Sequence, residues 1–165
     1  MKQPFEQIVQ AHGLSVLRVC RSLLDEHRAK DAWSETFLAA LRAYPQLDPE
    51  ANVQAWLVRI AHRKAIDELR RQRGEDLETD PAAHAPSTEA GPEGRAENLE
   101  LWQLVKQLPE KQRLVVAYRY LGGLDYRQIS QILSGTPEAA RRAAADGISN
   151  LRRRMDAGSA TGGKP

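Results

Sequence analysis

The side chains best suited to act on another molecule are Arg141 and Arg142, two adjacent guanidiniums shortly after Thr136-Pro137-Glu138. A guanidinium can fork onto the O6 and N7 edge of guanine, or pair with a phosphate. Chemistry of the enzymatic kind has little to stand on. His12, His27, His62 and His84 are scattered, without the His-x-x-x-His spacing of a metal site. Cys20 is the one cysteine, so it has no partner for a disulfide or a cysteine metal site, and no base is evident beside it. It falls on an apolar stripe with Leu17, Leu23 and Leu24 and reads as a small buried hydrophobe. These residues give no catalytic group, metal site or cofactor, so the chain is not expected to be an enzyme.

The two arginines need an element to present them. Tyr126, Ile129, Ile132 and Leu133 recur at helical spacing and make one apolar face. Gly135 is expected to take a positive φ and end that helix. Thr136 can cap the next helix, with Pro137 at its first position, where a missing N–H costs nothing. Glu138 lies in the first turn, where the helix dipole favours a carboxylate. Ala140, Ala144, Ile148 and Leu151 give this second helix its inner face. That is the layout of a helix-turn-helix, whose second helix enters the DNA major groove. The bland alternative is a helical hairpin whose arginines are only solvated.

Charge divides the 165 residues into three parts. Residues 1–73 carry 12 Lys/Arg against 9 Asp/Glu, a net of +3. Residues 74–97 carry one base against seven acids, a net of −6, and residues 98–165 carry 11 bases against 6 acids, a net of +5. The overall +2 hides two basic modules flanking an acidic connector.

The apolar spacing predicts helices over residues 5–24, with a weak point at Gly13, then 29–44 and 53–72. The second carries Trp33, Phe37, Leu38 and Leu41 on one face; the third carries Trp56, Leu57, Ile60, Ala61, Ile66 and Leu69 inward. Residues 74–98 are rich in Pro, Ala, Gly, Glu and Asp and read as a flexible linker. Helical order resumes at Leu99, and a further helix runs over 110–121 before Gly122-Gly123. The Gly-rich end reads as a disordered tail. The fold class is all-α: two small helical domains, 1–73 and 99–154, joined by a flexible acidic linker at 74–98, with a disordered tail at 155–165. No strand and no internal repeat is evident. No apolar run reaches membrane-spanning length and the first residues do not form a signal peptide, so a soluble cytoplasmic protein is expected.

Lys30-Asp31-Ala32-Trp33-Ser34-Glu35-Thr36-Phe37, followed by residues 56–67 (WLVRIAHRKAID), resembles region 2 of bacterial sigma factors. Leu108-Pro109 through Arg153, with its helix-turn-helix, resembles region 4. Two such regions joined by a linker resemble the extracytoplasmic-function (ECF, group 4) subfamily of the sigma-70 family. The resemblance implies a protein that binds bacterial core RNA polymerase, clasping the β′ coiled coil and docking on the β flap, and directs it to promoter DNA. It implies no reaction and no cofactor, and it brings an expectation of an anti-sigma factor.

By position in the family, Asp31, Trp33, Glu35 and Phe37 correspond to the polymerase-binding helix, Phe37 and Trp33 being core or interface groups. The loop at 45–52, with Asn52, corresponds to the segment that receives a flipped −10 base. Arg59, His62, Arg63, Lys64, Arg70 and Arg71 correspond to the −10 DNA-binding helix, where basic side chains hold phosphates. Asp67 reads as a structural ion pair. Arg127, Thr136, Glu138, Arg141 and Arg142 correspond to the −35 reader. This chain departs from the family at Ser34, where Gln is usual, and at Arg63, where Asn is common. It also departs in the run Ala143-Ala144-Ala145-Asp146-Gly147, where the family is richer in Arg and His. Gly147 is expected to weaken that helix by about 1 kcal/mol relative to Ala. Two other readings stand beside this one: a stand-alone helix-turn-helix regulator, and an interaction protein with weakened DNA binding that titrates a regulator.

Overall fold

Three helices form the first half: α1 (Phe5–Leu23), α2 (Glu26–Ala43) and α3 (Val53–Glu78). The second half holds α4 (Ala96–Lys106), α5 (Glu110–Val116), α6 (Tyr126–Leu133) and α7 (Pro137–Gly162), with a π-helical turn over Ala117–Leu121 after α5. This computed structural model describes residues 2–78 and 96–162, with side chains for 2–74 and 101–157; all regular structure among them is helical.

The first half closes on apolar stripes whose spacing is legible in the sequence. Ile8, Val16, Val19, Cys20 and Leu23 of α1 meet Ala29, Ala32, Phe37 and Ala40 of α2 and Leu57, Val58, Ala61 and Ala65 of α3. Burial pushes the Cys20 thiol up to about 12, which leaves it an inert hydrophobe. Gly13 is no weak point. Helix α1 runs straight through it, and Trp33 Nε1 donates to its carbonyl at 2.8 Å. Asp25 caps α2 by accepting from Arg28 N at 2.8 Å. Leu38 and Leu41, expected on the inner face of α2, are 54% and 51% exposed. The apolar stripe of α2 is already complete with Ala32, Phe37 and Ala40, so the two leucines fall outside it.

The helix-turn-helix differs in one backbone detail. Ser134, not Gly135, takes the left-handed conformation, at φ 58° and ψ 48°. The N–H groups of Ser134 and Gly135 both donate to the Ser130 carbonyl, closing α6 one residue earlier than expected. Thr136 then caps α7, accepting from Ala139 N at 3.1 Å, and Pro137 is the first helical residue. Asp125 and Gln128 form a reciprocal capping box at the start of α6.

Gly147 has a packing role that helix propensity does not reveal. It is buried, and a Cβ there would lie 2.6 Å from Val116 Cγ2 of α5. The missing side chain lets α7 lie close against α5.

The boundaries shift outward from those expected. Helix α3 does not stop near Gln72 but continues through Gly74 to Glu78, and α4 begins at Ala96. Residues 79–95, the bulk of the expected flexible linker, lie outside the described residues. The tail expected to be disordered is instead helical as far as Gly162, and 163–165 lie outside the described residues.

The two halves also share one core. Val115, Ala117, Tyr118 and Leu124 join the same buried cluster as Val19, Cys20 and Leu57. Tyr118 is fully buried, and its hydroxyl hydrogen-bonds His62 Nδ1 at 2.5 Å. Gln54 Nε2 donates to the Gly122 carbonyl at 2.5 Å, and Gln54 Oε1 meets His12 Nδ1 at 2.5 Å.

Candidate polymerase and nucleic-acid interfaces

Helix α2 presents an acidic and apolar outer face. Asp31 is exposed and Glu35 half-exposed, one turn apart, and Leu38 continues the same stripe. Asp31 has only a long contact with His27, 3.6 Å between exposed side chains. Beneath this face Trp33 and Phe37 stack with centroids 4.7 Å apart, and Phe37 also meets the ring of Phe5. Of the four residues assigned to polymerase, Asp31 and Glu35 thus lie outward, while Trp33 and Phe37 sit inward and stiffen the helix. Leu38 and Leu41, placed inward by the spacing, belong to the outward surface. The sequence signal was an apolar stripe wider than the core could absorb.

Helix α3 turns a basic face outward. Arg59, Arg63 and Arg70 are exposed along one side, and Lys64 is half-buried. Arg71 is partly committed within the chain: it donates to Glu68 at 2.8 Å, and Glu68 also meets Arg28 at 3.5 Å. Glu68 is only 6% exposed, so the structural ion pair belongs to it and not to Asp67, which is exposed. Asn52 caps α3 through its side chain, accepting from Ala55 N at 3.0 Å, and the rest of the residue is exposed. His62 points towards the second half, against Tyr118. Burial lowers its pKa, Glu110 opposes that and Arg63 adds to it, so the ring is neutral at pH 7.

As far as Ser149, the exposed positions of α7 are Glu138, Arg141, Arg142, Ala145, Asp146 and Ser149, and every described side chain after Leu151 is exposed too. Ala143, Ala144 and Gly147 face inward, so most of the alanine-rich run lies on the packed side of the helix. Arg141 lies over the ring of Tyr126, 5.2 Å from its centroid, and Arg119 lies 4.8 Å from the same ring. Arg119 is held in turn by its bond to the Leu124 carbonyl at 3.0 Å. A groove of about 460 Å³ runs from Tyr120 and Tyr126 past Arg141 to Arg152 and Arg153. Arg142 borders a second groove, about 490 Å³, with Thr136, Glu138, Lys111 and Gln112. Arg127 is exposed on α6. Sequence reasoning did not find Arg119, Tyr120 or Arg152, because the π-helical turn and the length of α7 decide which way they face.

The family description Sigma-70 region 2 matches residues 8–75, and Sigma-70, region 4 matches residues 98–150. The chain is 30% identical over 160 residues to the ECF RNA polymerase sigma factor ShbA of Streptomyces griseus, covering 88% of this chain and 83% of that one. It is 29% identical over 149 residues to the ECF RNA polymerase sigma factor SigK of Mycobacterium tuberculosis, covering 84% and 78%. Among solved structures, CnrH in complex with the cytosolic domain of CnrY superposes with a TM-score of 0.68 at 24% identity, covering 93% of this chain and 88% of that one. The sigma factor RpoE of Bartonella quintana, in complex with the anti-sigma factor NepR, gives 0.77 at 16% identity, covering 92% and 96%. With both sigma regions matched in order across most of its length, and its helix-turn-helix formed as described, this chain belongs to the ECF sigma factors of the sigma-70 family.

Proposed function

We propose that the α2 outer face is the polymerase contact of this sigma factor, and that the α3 basic face and the α7 N-terminal face hold the −10 and −35 elements. The observation that carries the reading is the segregation of surfaces. An acidic and apolar face on α2 suits basic protein, while arginine faces on α3 and α7 suit a polyanion. Asp31, Glu35, Leu38 and Leu41 meet the β′ coiled coil. Arg59, Arg63, Lys64 and Arg70 hold −10 phosphates, with Asn52 beside the flipped base. Arg141 and Arg142 approach the −35 bases, helped by Arg127, while Thr136 and Glu138 set the helix start. The functional domains run over 1–73 and 99–154, the second also docking on the β flap. The sigma factor performs no reaction itself and works in the cytoplasm. Among the described residues no helix is long and apolar enough to cross a membrane. One similar solved structure holds CnrH with the cytosolic domain of CnrY, and the other holds the sigma factor RpoE with the anti-sigma factor NepR, which supports an anti-sigma partner here.

Run-off transcription with reconstituted holoenzyme tests this reading. Each bidentate arginine–guanine contact is worth about 1–3 kcal/mol. Replacing Arg141 and Arg142 with Ala should therefore remove most discrimination between intact and scrambled −35 templates. Equal discrimination by variant and native protein would move the −35 contact elsewhere. Promoter binding without core polymerase would favour a stand-alone regulator instead.

A further inference from the structure

Between the two halves lies a cleft of about 370 Å³ that none of the promoter or polymerase contacts uses. Arg73 of α3 reaches it from one side, and Lys106 of α4 and Arg113 of α5 from the other; Gln72 and Asp25 complete the polar lining. Leu24 and Leu69 give it an apolar floor. Three cations and one carboxylate line the cleft, and that carboxylate is already engaged by Arg28; Glu110 and Glu26 lie near the cations but do not line it.

The cations are under-used. Among the described residues Lys106 makes no ion pair and its ammonium has no hydrogen-bond partner. Burial lowers its pKa; Asp25 and Glu26 oppose this, and Arg21 and Arg113 add to it. Arg113 donates through one terminal nitrogen to the Lys106 carbonyl at 3.2 Å, while its Nε is buried without a hydrogen-bond partner. Arg73 has a long pairing with Glu110 at 3.8 Å. Arg73 is exposed at the rim, but the half-buried like charges of Lys106 and Arg113 and an unpaired buried donor are costly in a folded chain. An anion with several acceptor oxygens would offset the like charges by pairing with the Lys106 ammonium and the terminal nitrogens of Arg113 and Arg73.

We infer that this cleft binds a small anion carrying linked phosphates, such as pyrophosphate or the diphosphate of a nucleotide, and that binding holds the two halves together. The cleft volume lies at the small end of ligand sites, which suits a diphosphate better than a large cofactor. Because Arg73 and Lys106 belong to different halves, an anion bridging them favours the packed arrangement over a separated one.

The test is isothermal titration of the full chain with pyrophosphate, orthophosphate, a nucleoside diphosphate and sulfate at matched ionic strength. Pyrophosphate should bind saturably at one site and raise the thermal midpoint, whereas sulfate should do neither. A nucleoside diphosphate binding more tightly than pyrophosphate would identify a nucleotide as the occupant; equal affinity would identify the diphosphate alone. Lys106→Gln and Arg73→Gln, changed on opposite sides of the cleft, should each weaken binding by about tenfold, the loss of one charge-assisted contact. Arg152→Ala, on the distant α7 groove, should leave it unchanged. Absence of saturable binding, or binding that survives both cleft variants but is lost with Arg152→Ala, would overturn the inference.

Discussion

A single missing methyl group decides how α7 packs. Sequence propensity makes Gly147 a defect that Ala would repair by about 1 kcal/mol. The 2.6 Å approach of a built Cβ to Val116 reverses that sign. Gly147→Ala is expected to destabilise the chain by about 1–3 kcal/mol, the usual cost of overpacking, as read by urea unfolding; a more stable variant would mean that Val116 yields freely. Tyr126 is a second case. Both Arg119 and Arg141 lie against its ring, so it holds the Arg141 guanidinium in place. Tyr126→Phe should keep −35 discrimination, while Tyr126→Ala should reduce it by roughly fivefold, in line with a cation–π contact of about 0.5–1 kcal/mol. Equal effects of the two variants would point to the hydroxyl instead. The exposed place of Arg141 was legible from its position after the Thr136 cap. Its partner was not, because apolar spacing assigned Tyr126 to the core and said nothing of what lies over its outer face.

Helix α2 shows what periodicity can and cannot sort. Trp33, Phe37, Leu38 and Leu41 all fit one broad stripe, yet only the first two pack inward. The neighbouring helices supply just enough apolar surface for them, and that supply is not written in α2 itself. The exposed leucines beside Asp31 and Glu35 resemble the apolar centre of a protein interface with a charged rim. Asp31→Lys with Glu35→Lys should weaken core polymerase binding by at least tenfold. Thermal stability should change by no more than about 0.5 kcal/mol, since neither carboxylate is buried. Unchanged polymerase affinity would return the pair to a solvated surface. The end of α3 was misread for a different reason. Gly74 looked like punctuation, but nothing crowds it and it merely lowers helix propensity, so the helix passes through.

Across the whole molecule, the two helical units were legible from composition and charge, but their contact was not. The spacing gives Tyr118 and Leu124 no particular role, and only the folded chain shows that they join a core shared by both halves. His62 makes this junction sensitive to acid. Its folded pKa is lowered, chiefly by burial, below the ordinary 6.5. The neutral ring therefore contributes stability fully above about pH 6.5, and that contribution is lost as pH falls through the folded value. Thermal midpoints measured from pH 7.5 down to 5 should fall more steeply for the native chain than for His62→Gln. Parallel curves would remove His62 from the account. The shared core also governs how the chain can be stored. Parting the halves lays Tyr118, Leu124 and Val19 open to water, and a fresh apolar patch invites self-association. A chain that stays shut keeps that patch covered, and one that opens needs another surface to cover it.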